Sequence, residues 1–163
     1  MLPSDLIVKA ETLLAQCRQK GLRVATAESC TGGLIAGCLT SVAGSSDVVD
    51  RGFITYDNQA KSDMLDVPED LLMEFGAVSE PVARKMAEGA LAHSRADIAV
   101  SVTGIAGPGG GTPTKPVGLV HFGCARHGRE TAHASAVFDG DRQSVRRQAV
   151  EKAMEMMFQA AQI

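Results

Sequence analysis

Residues 22–36 read Leu22-Arg23-Val24-Ala25-Thr26-Ala27-Glu28-Ser29-Cys30-Thr31-Gly32-Gly33-Leu34-Ile35-Ala36. Arg23 to Ala27 is a short apolar run with Val and Thr, the composition of a buried strand. Three small polar residues and two glycines follow, and then Leu34, Ile35, Cys38 and Leu39 recur at helical spacing. The stretch predicts a strand that turns sharply into a helix. Such a turn exposes backbone N–H groups at a helix N-terminus, which favours anions. It also holds a nucleophile-capable side chain, Ser29, at their mouth. Capping of the helix by Ser29 or Thr31 is the plainer reading of the same residues.

Working outward, Ser4 is expected to cap a first helix whose apolar positions Leu6, Ile7, Ala10, Leu13, Leu14 and Cys17 follow the 3.6 period, with Gly21 at its end. Beyond the opening stretch, Val48 to Tyr56 carries a second strand closed by Asp57-Asn58. Gln59 to Leu65 reads as a short helix, halted before Val67-Pro68 because a residue preceding proline avoids the helical region. Pro68 to Phe75 forms another, with Pro68 in its first turn and Gly76 at its end. Ser79-Glu80-Pro81 opens a clearer helix with Val82, Ala83, Met86, Ala87, Ala90 and Leu91 on one face.

Asp97 to Val102 is almost continuously apolar, as a central strand covered on both faces requires. It runs into Thr103 to Gly111, too rich in glycine for regular structure. Val117–Ala125 and Thr131–Phe138 are two further strands, close enough in sequence to form an antiparallel hairpin. The last helix starts near Gly140-Asp141, with Val145, Ala149, Ala153, Met156, Met157 and Ala160 inward. The expected fold is a single α/β domain over residues 1–163, a three-layer α/β/α arrangement with a mixed, partly antiparallel central sheet.

A chain of 163 residues with 45% hydrophobic and 21% charged residues is long enough for a core without staples. Its net charge of −3 argues against a nucleic-acid surface, which needs clustered positive charge, but leaves room for a local phosphate site. The first residues lack the basic and apolar regions of a signal peptide, and no apolar run is long enough to span a membrane. Cys17, Cys30, Cys38 and Cys124 contain no Cys-x-x-Cys and fit reduced, buried thiols of a cytoplasmic protein. His93, His121, His127 and His133 show no metal-type spacing.

Two glycine-rich turns follow two apolar strands, at Ser29–Gly33 and Thr103–Gly111. Ligands of open α/β sheets bind beyond the carboxyl ends of strands, so both turns are expected at one pocket. Neither spells a strict phosphate-loop or dinucleotide pattern, which counts against ATP and NAD. Tyr56 ends a strand, and Lys61 follows five residues later. A lysine is by default solvated, but one drawn into a pocket loses basicity and deprotonates a serine. Tyr56 also reads as a core aromatic whose hydroxyl finds a partner. Arg142, Arg146 and Arg147 oppose the dipole of the last helix. Either Asp139 and Asp141 neutralise them, with Arg147 pairing to Glu151, or one arginine points at a bound anion.

Glu28–Gly33, Gly44-Ser45-Ser46, Arg51–Tyr56 with Lys61, Gly76–Glu80, Thr103–Pro108, Lys115–Gly118 and Gly140-Asp141-Arg142 together resemble the CinA C-terminal domain family, in the family's order and over nearly the whole chain. The resemblance is to stand-alone, PncC-type members, without the molybdopterin-binding-like N-terminal domain of longer relatives. It implies an amidase that converts nicotinamide mononucleotide to nicotinic acid mononucleotide and ammonia in pyridine nucleotide recycling, with no metal or cofactor. By the resemblance Ser29 is the nucleophile, Lys61 its base, and Tyr56 a member of the same site.

The chemistry fits, since an amide needs an activated nucleophile, donors for the oxyanion and a proton for departing ammonia. Expected substrate contacts are the turn at Thr31, Gly32 and Gly33 for the oxyanion. Thr103, Gly104, Gly107 and Arg142 are also expected to bind substrate, the backbone N–H groups of the Thr103–Gly111 loop and Arg142 being the candidates for the 5′-phosphate. Cys30 is a competing nucleophile, because a helix N-terminus lowers a thiol pKa. A non-catalytic nucleotide-binding or competence-associated regulatory module is the alternative reading. The acidic balance speaks against a DNA-associated version of it. The expected partner is a small molecule, and the sequence leaves self-association open.

Overall fold

The computed structural model describes residues 1–163, whose elements run α1 (Ser4–Gln19), β1 (Val24–Glu28), α2 (Leu34–Thr40), β2 (Val49–Ile54), α3 (Asn58–Leu65), α4 (Glu69–Phe75), α5 (Glu80–Ala92), β3 (Ile98–Gly104), β4 (Leu119–Arg126), β5 (Ala132–Val137) and α6 (Arg142–Gln162). The strands form one sheet in the order β2-β1-β3-β4-β5. The three strands β2, β1 and β3 are parallel; β4 and β5 turn back as an antiparallel hairpin. The mixed α/β sheet expected from the sequence is therefore the one observed.

Side chains alternate across β1 because a strand has a period of two. Val24 joins the core beneath α1, α2 and α6, among Leu13, Ile35, Leu39 and Met157. Ala25 and Ala27 join a smaller core beneath α5, with Leu65, Val82, Met86 and Ala90. This alternation sends Glu28 towards α2 and Ser29 towards α3 and α5. It divides the two residues between opposite faces of the sheet.

Several boundaries differ from the sequence reading. Ser4 lies inside α1 rather than capping it; Pro3 is the N-cap and no side chain bonds there, the Pro3 carbonyl accepting from Leu6 and Ile7. Pro68 likewise precedes α4, its carbonyl accepting from Leu71 and Leu72. β3 reaches Gly104, which still pairs with Val120. Arg147 pairs with Asp5, not Glu151, and Glu151 pairs with Lys9, because α6 lies against α1 and cross-helix partners are nearer.

The four cysteines are free and buried. His121 and His133 meet across β4 and β5 with ring nitrogens 2.9 Å apart, while His127 sits in the turn between those strands. α3 is pressed against α5 at Gly89, where a Cβ would stand 2.0 Å from the Leu65 carbonyl oxygen. Only glycine permits that approach, and it fixes the helix that carries Lys61.

Candidate active site

β3 pairs with β1 along the whole of β1, and the Ser29 N–H continues the ladder by donating to the Val102 carbonyl at 3.0 Å. Both glycine-rich turns thus leave adjacent strands at the same edge. Facing them is the β2–α3 connection, whose Thr55 N–H donates to the Glu28 carbonyl at 2.8 Å. A cleft of about 220 Å³ lies among them, lined by Ser29, Cys30, Tyr56, Asn58, Lys61, Ala77, Val78, Thr103, Gly104, Ala106 and Arg142.

Lys61 is 1% exposed despite its charge. It shares the inward face of α3 with Leu65, one turn on. Its Nζ lies 3.1 Å from Ser29 Oγ, 2.8 Å from the Thr55 carbonyl and 3.4 Å from the Tyr56 carbonyl. In the neutral amine, two N–H donors meet the two carbonyls and leave the lone pair for the serine O–H. Burial, the largest influence, lowers the Lys61 pKa below the ordinary 10.5, while Asp57 and Cys30 pull the other way. The solvated-surface reading of Lys61 is therefore incorrect.

The α2 N-terminus is not open to a ligand. Gly33 is the N-cap and supplies no side chain, and neither Ser29 nor Thr31 caps. Instead the buried Glu28 carboxylate accepts from the Ile35 N–H at 2.9 Å, the Ala36 N–H at 3.0 Å and the Thr31 hydroxyl at 2.7 Å. The protein supplies its own anion to the helix dipole. The Gly32 N–H is also spent, on the Ser29 carbonyl at 3.0 Å, whereas the N–H groups of Cys30, Thr31 and Gly33 make no hydrogen bond to another residue. Thr31, Gly32 and Gly33 do not line the cleft. Of the oxyanion donors expected from the sequence, Gly32 is excluded, and the Cys30 N–H joins the remaining candidates.

Cys30 is a thiol rather than a thiolate. Burial pushes its pKa up to about 11, and the neighbouring Arg146 and Lys61 do not reverse this. The dipole that would lower it is spent on Glu28.

On the far wall, Arg142 begins α6 behind the Asp141 N-cap, whose side chain accepts from the Ser144 N–H at 2.9 Å. Arg142 donates to the Gly107 carbonyl at 2.8 Å and to the Tyr56 hydroxyl at 3.2 Å. It ties three segments together across the cleft. Tyr56 is 62% exposed, so it forms the rim and is no core aromatic. Thr103 and Gly104 line the cleft, but the Thr103 hydroxyl is committed to the Ala77 carbonyl at 3.0 Å. Gly107 stands outside the lining at φ +84°, and its N–H and that of Ala106 have no partner.

Sequence reading missed Glu28 as part of this site and Asn58, Ala77 and Val78 in its lining; it named Arg146 only as one of three arginines that could face an anion, not as a partner of the Cys30 and Thr31 carbonyls. A carboxylate in an otherwise apolar strand was a usable signal for Glu28, since a buried charge demands partners. Its place against the helix dipole marks Arg146 as unusual, but nothing local gives its partners, which lie 115 and 116 positions away.

A buried serine–lysine pair sits at the carboxyl edge of a mixed sheet on a three-layer α/β/α scaffold. The profile of the CinA C-terminal domain matches residues 8–161, and the chain belongs to that family. It is 48% identical to nicotinamide-nucleotide amidohydrolase PncC of Escherichia coli K12 over 159 residues, covering 98% of this chain and 96% of that one. It is 49% identical over 150 residues to a CinA-like protein of Akkermansia muciniphila, of which it spans 36%. The crystal structure of competence/damage inducible protein CihA from Agrobacterium tumefaciens superimposes with a TM-score of 0.95 at 50% identity, covering 100% of this chain and 99% of that one.

Proposed function

We propose that this chain is a nicotinamide-nucleotide amidase, hydrolysing nicotinamide mononucleotide to nicotinic acid mononucleotide and ammonia, in pyridine nucleotide recycling in the cytoplasm. The observation that carries the reading is the buried Lys61 amine 3.1 Å from Ser29 Oγ in the cleft. The E. coli relative's name supports the substrate.

In this reading Ser29 Oγ attacks the carboxamide carbon and its proton passes to neutral Lys61. The oxyanion accepts from the unspent N–H of Cys30, one residue after the nucleophile, and from its neighbour in the turn. The C–N bond then breaks, and ammonia leaves with the proton held by Lys61. Water, deprotonated by the same amine, cleaves the acyl ester and frees Ser29. Tyr56 and Arg142 close the cleft rim. Arg142, with the free N–H groups of Ala106 and Gly107, holds the 5′-phosphate.

The test is ammonia release from nicotinamide mononucleotide by the purified chain and by Ser29→Ala. The parent is expected to turn the substrate over, and Ser29→Ala to lose turnover while keeping its fold. No release by the parent, or undiminished release by Ser29→Ala, overturns the reading.

A further inference from the structure

Arg146 lies one turn beyond Arg142 on α6 but serves a different partner. Its Nε donates to the Cys30 carbonyl at 3.1 Å and a terminal nitrogen donates to the Thr31 carbonyl at 3.3 Å. Gly32 is in the left-handed region at φ +58°, and a Cβ there would meet that nitrogen at 3.5 Å, an ordinary van der Waals contact, so glycine serves the turn's backbone and not the arginine's approach. On the other side of the turn, Glu28 holds the Thr31 hydroxyl and the first N–H groups of α2. The turn after Ser29 is therefore gripped by a guanidinium on its carbonyls and by a carboxylate on its donors.

The peptide unit is planar, so fixing a carbonyl fixes the N–H on the other side of the same unit. The Ser29 carbonyl, in the unit that carries the Cys30 N–H, is fixed by the Gly32 N–H within the turn. The Cys30 carbonyl, in the unit that carries the Thr31 N–H, is held from outside the turn by Arg146. Both of those N–H groups are unspent. A rigid guanidinium fork suits the task, because two donors in one plane meet two carbonyls with little freedom left to lose. Its charge at the carbonyl end also polarises the peptide and strengthens the N–H as a donor.

We infer that Arg146 is a positioning residue for the amidase reaction, holding the turn that carries Ser29 and the unspent Cys30 and Thr31 N–H groups in the geometry the oxyanion needs. This rests on the Ser29 chemistry proposed above. Arg146 does not line the cleft, so its effect falls on the transition state rather than on substrate binding. Arg142, which does line it, has the opposite signature. Two arginines one turn apart thus divide kcat and KM between them.

The experiment is steady-state kinetics on nicotinamide mononucleotide for the parent, Arg146→Met, Arg146→Lys, Arg142→Ala and Ser29→Ala, with circular dichroism and thermal melting of each. Arg146→Met keeps the length of the side chain and removes its donors. It should lower kcat about 10- to 100-fold, as a small misplacement of catalytic groups does, with KM within about threefold of the parent. Arg146→Lys, with one charged donor on a flexible stem, should recover part of kcat. Arg142→Ala should mainly raise KM.

A raised KM at full kcat in Arg146→Met makes Arg146 a substrate-binding residue and overturns the inference. So does unchanged turnover, or an activity loss that follows the unfolded fraction with Lys no better than Met. Should Arg146→Met fail to fold, Arg146→Lys decides alone: lowered kcat at constant KM supports the inference, and normal kcat or raised KM ends it. Persistent activity in Ser29→Ala is a separate result, which removes the underlying chemistry rather than the role of Arg146.

Discussion

Lys61 gains its chemistry from where it is, since the same side chain on an exposed α3 would stay charged at neutral pH. Burial disfavours the ammonium, so the folded-state pKa lies below 10.5, with the Asp57 carboxylate partly opposing the drop. In the proposed mechanism the free amine is the working form. Activity should therefore rise with pH through a value below the ordinary lysine range, and this limb should vanish in Lys61→Ala. The stability consequence has its own sign. As pH falls from 10.5, the unfolded chain takes up the proton first, so the native state loses stability down to the folded-state pKa and no further from this group. Lys61→Arg keeps a charge but offers no usable base, and should lose turnover nearly as completely as Lys61→Ala. A pH profile of kcat/KM for these variants checks the assignment, and an active Lys61→Arg enzyme would contradict it. Cys30, with its thiol pushed up to about 11 by burial, is left out of this chemistry.

α2 is a seven-residue helix with no capping side chain of its own, and the Glu28 carboxylate replaces the cap from the preceding strand. Both its oxygens receive N–H groups. Glu28→Gln puts an amide NH₂ against a backbone donor and leaves one N–H unsatisfied in a buried site. The expected cost is about 1–3 kcal/mol, read as a lower urea midpoint at unchanged m-value. An unaltered midpoint would show that the carboxylate is dispensable. Strand and helix identities were legible in the sequence because they follow local periodicity, as in Asp97–Val102 and in the face of α5. The family motifs also made Ser29 and Lys61 legible as candidates, and its charge at the start of the last helix did the same for Arg142. The environment of each was not, because it comes from distant residues: Lys61 meets Ser29 across 32 positions and Arg146 meets Cys30 across 116. The helix-dipole reading of the glycine turn failed for the same reason. Periodicity does not reveal that the residue just before Ser29, on the other face of the strand, takes the dipole for itself.

At the scale of the whole molecule, the sheet order puts β1 at the centre of the parallel half, between β2 and β3. Its carboxyl end is then flanked by the two segments that complete the cleft, Tyr56–Asn58 after β2 and the end of β3 at Thr103 and Gly104 with Ala106 just beyond it. α6 closes the third side and reaches both with Arg142, while Arg146 braces the turn from the same helix. The helical layers serve the two halves of the site separately. α2 and α6 fix the turn that carries Ser29, and α3, seated on α5 through Gly89, brings Lys61 to it. That division presents Ser29, and not the adjacent thiol, to the lysine, so the proposed reaction is a covalent step on one side chain. It is tested most directly by acid-quenching turnover of nicotinamide mononucleotide and mapping peptide masses, with hydroxylamine trapping run in parallel. The predicted result is the pyridine acyl group on Ser29 and a hydroxamate in the trap; an adduct on Cys30, or ammonia release with neither adduct nor hydroxamate, would contradict it.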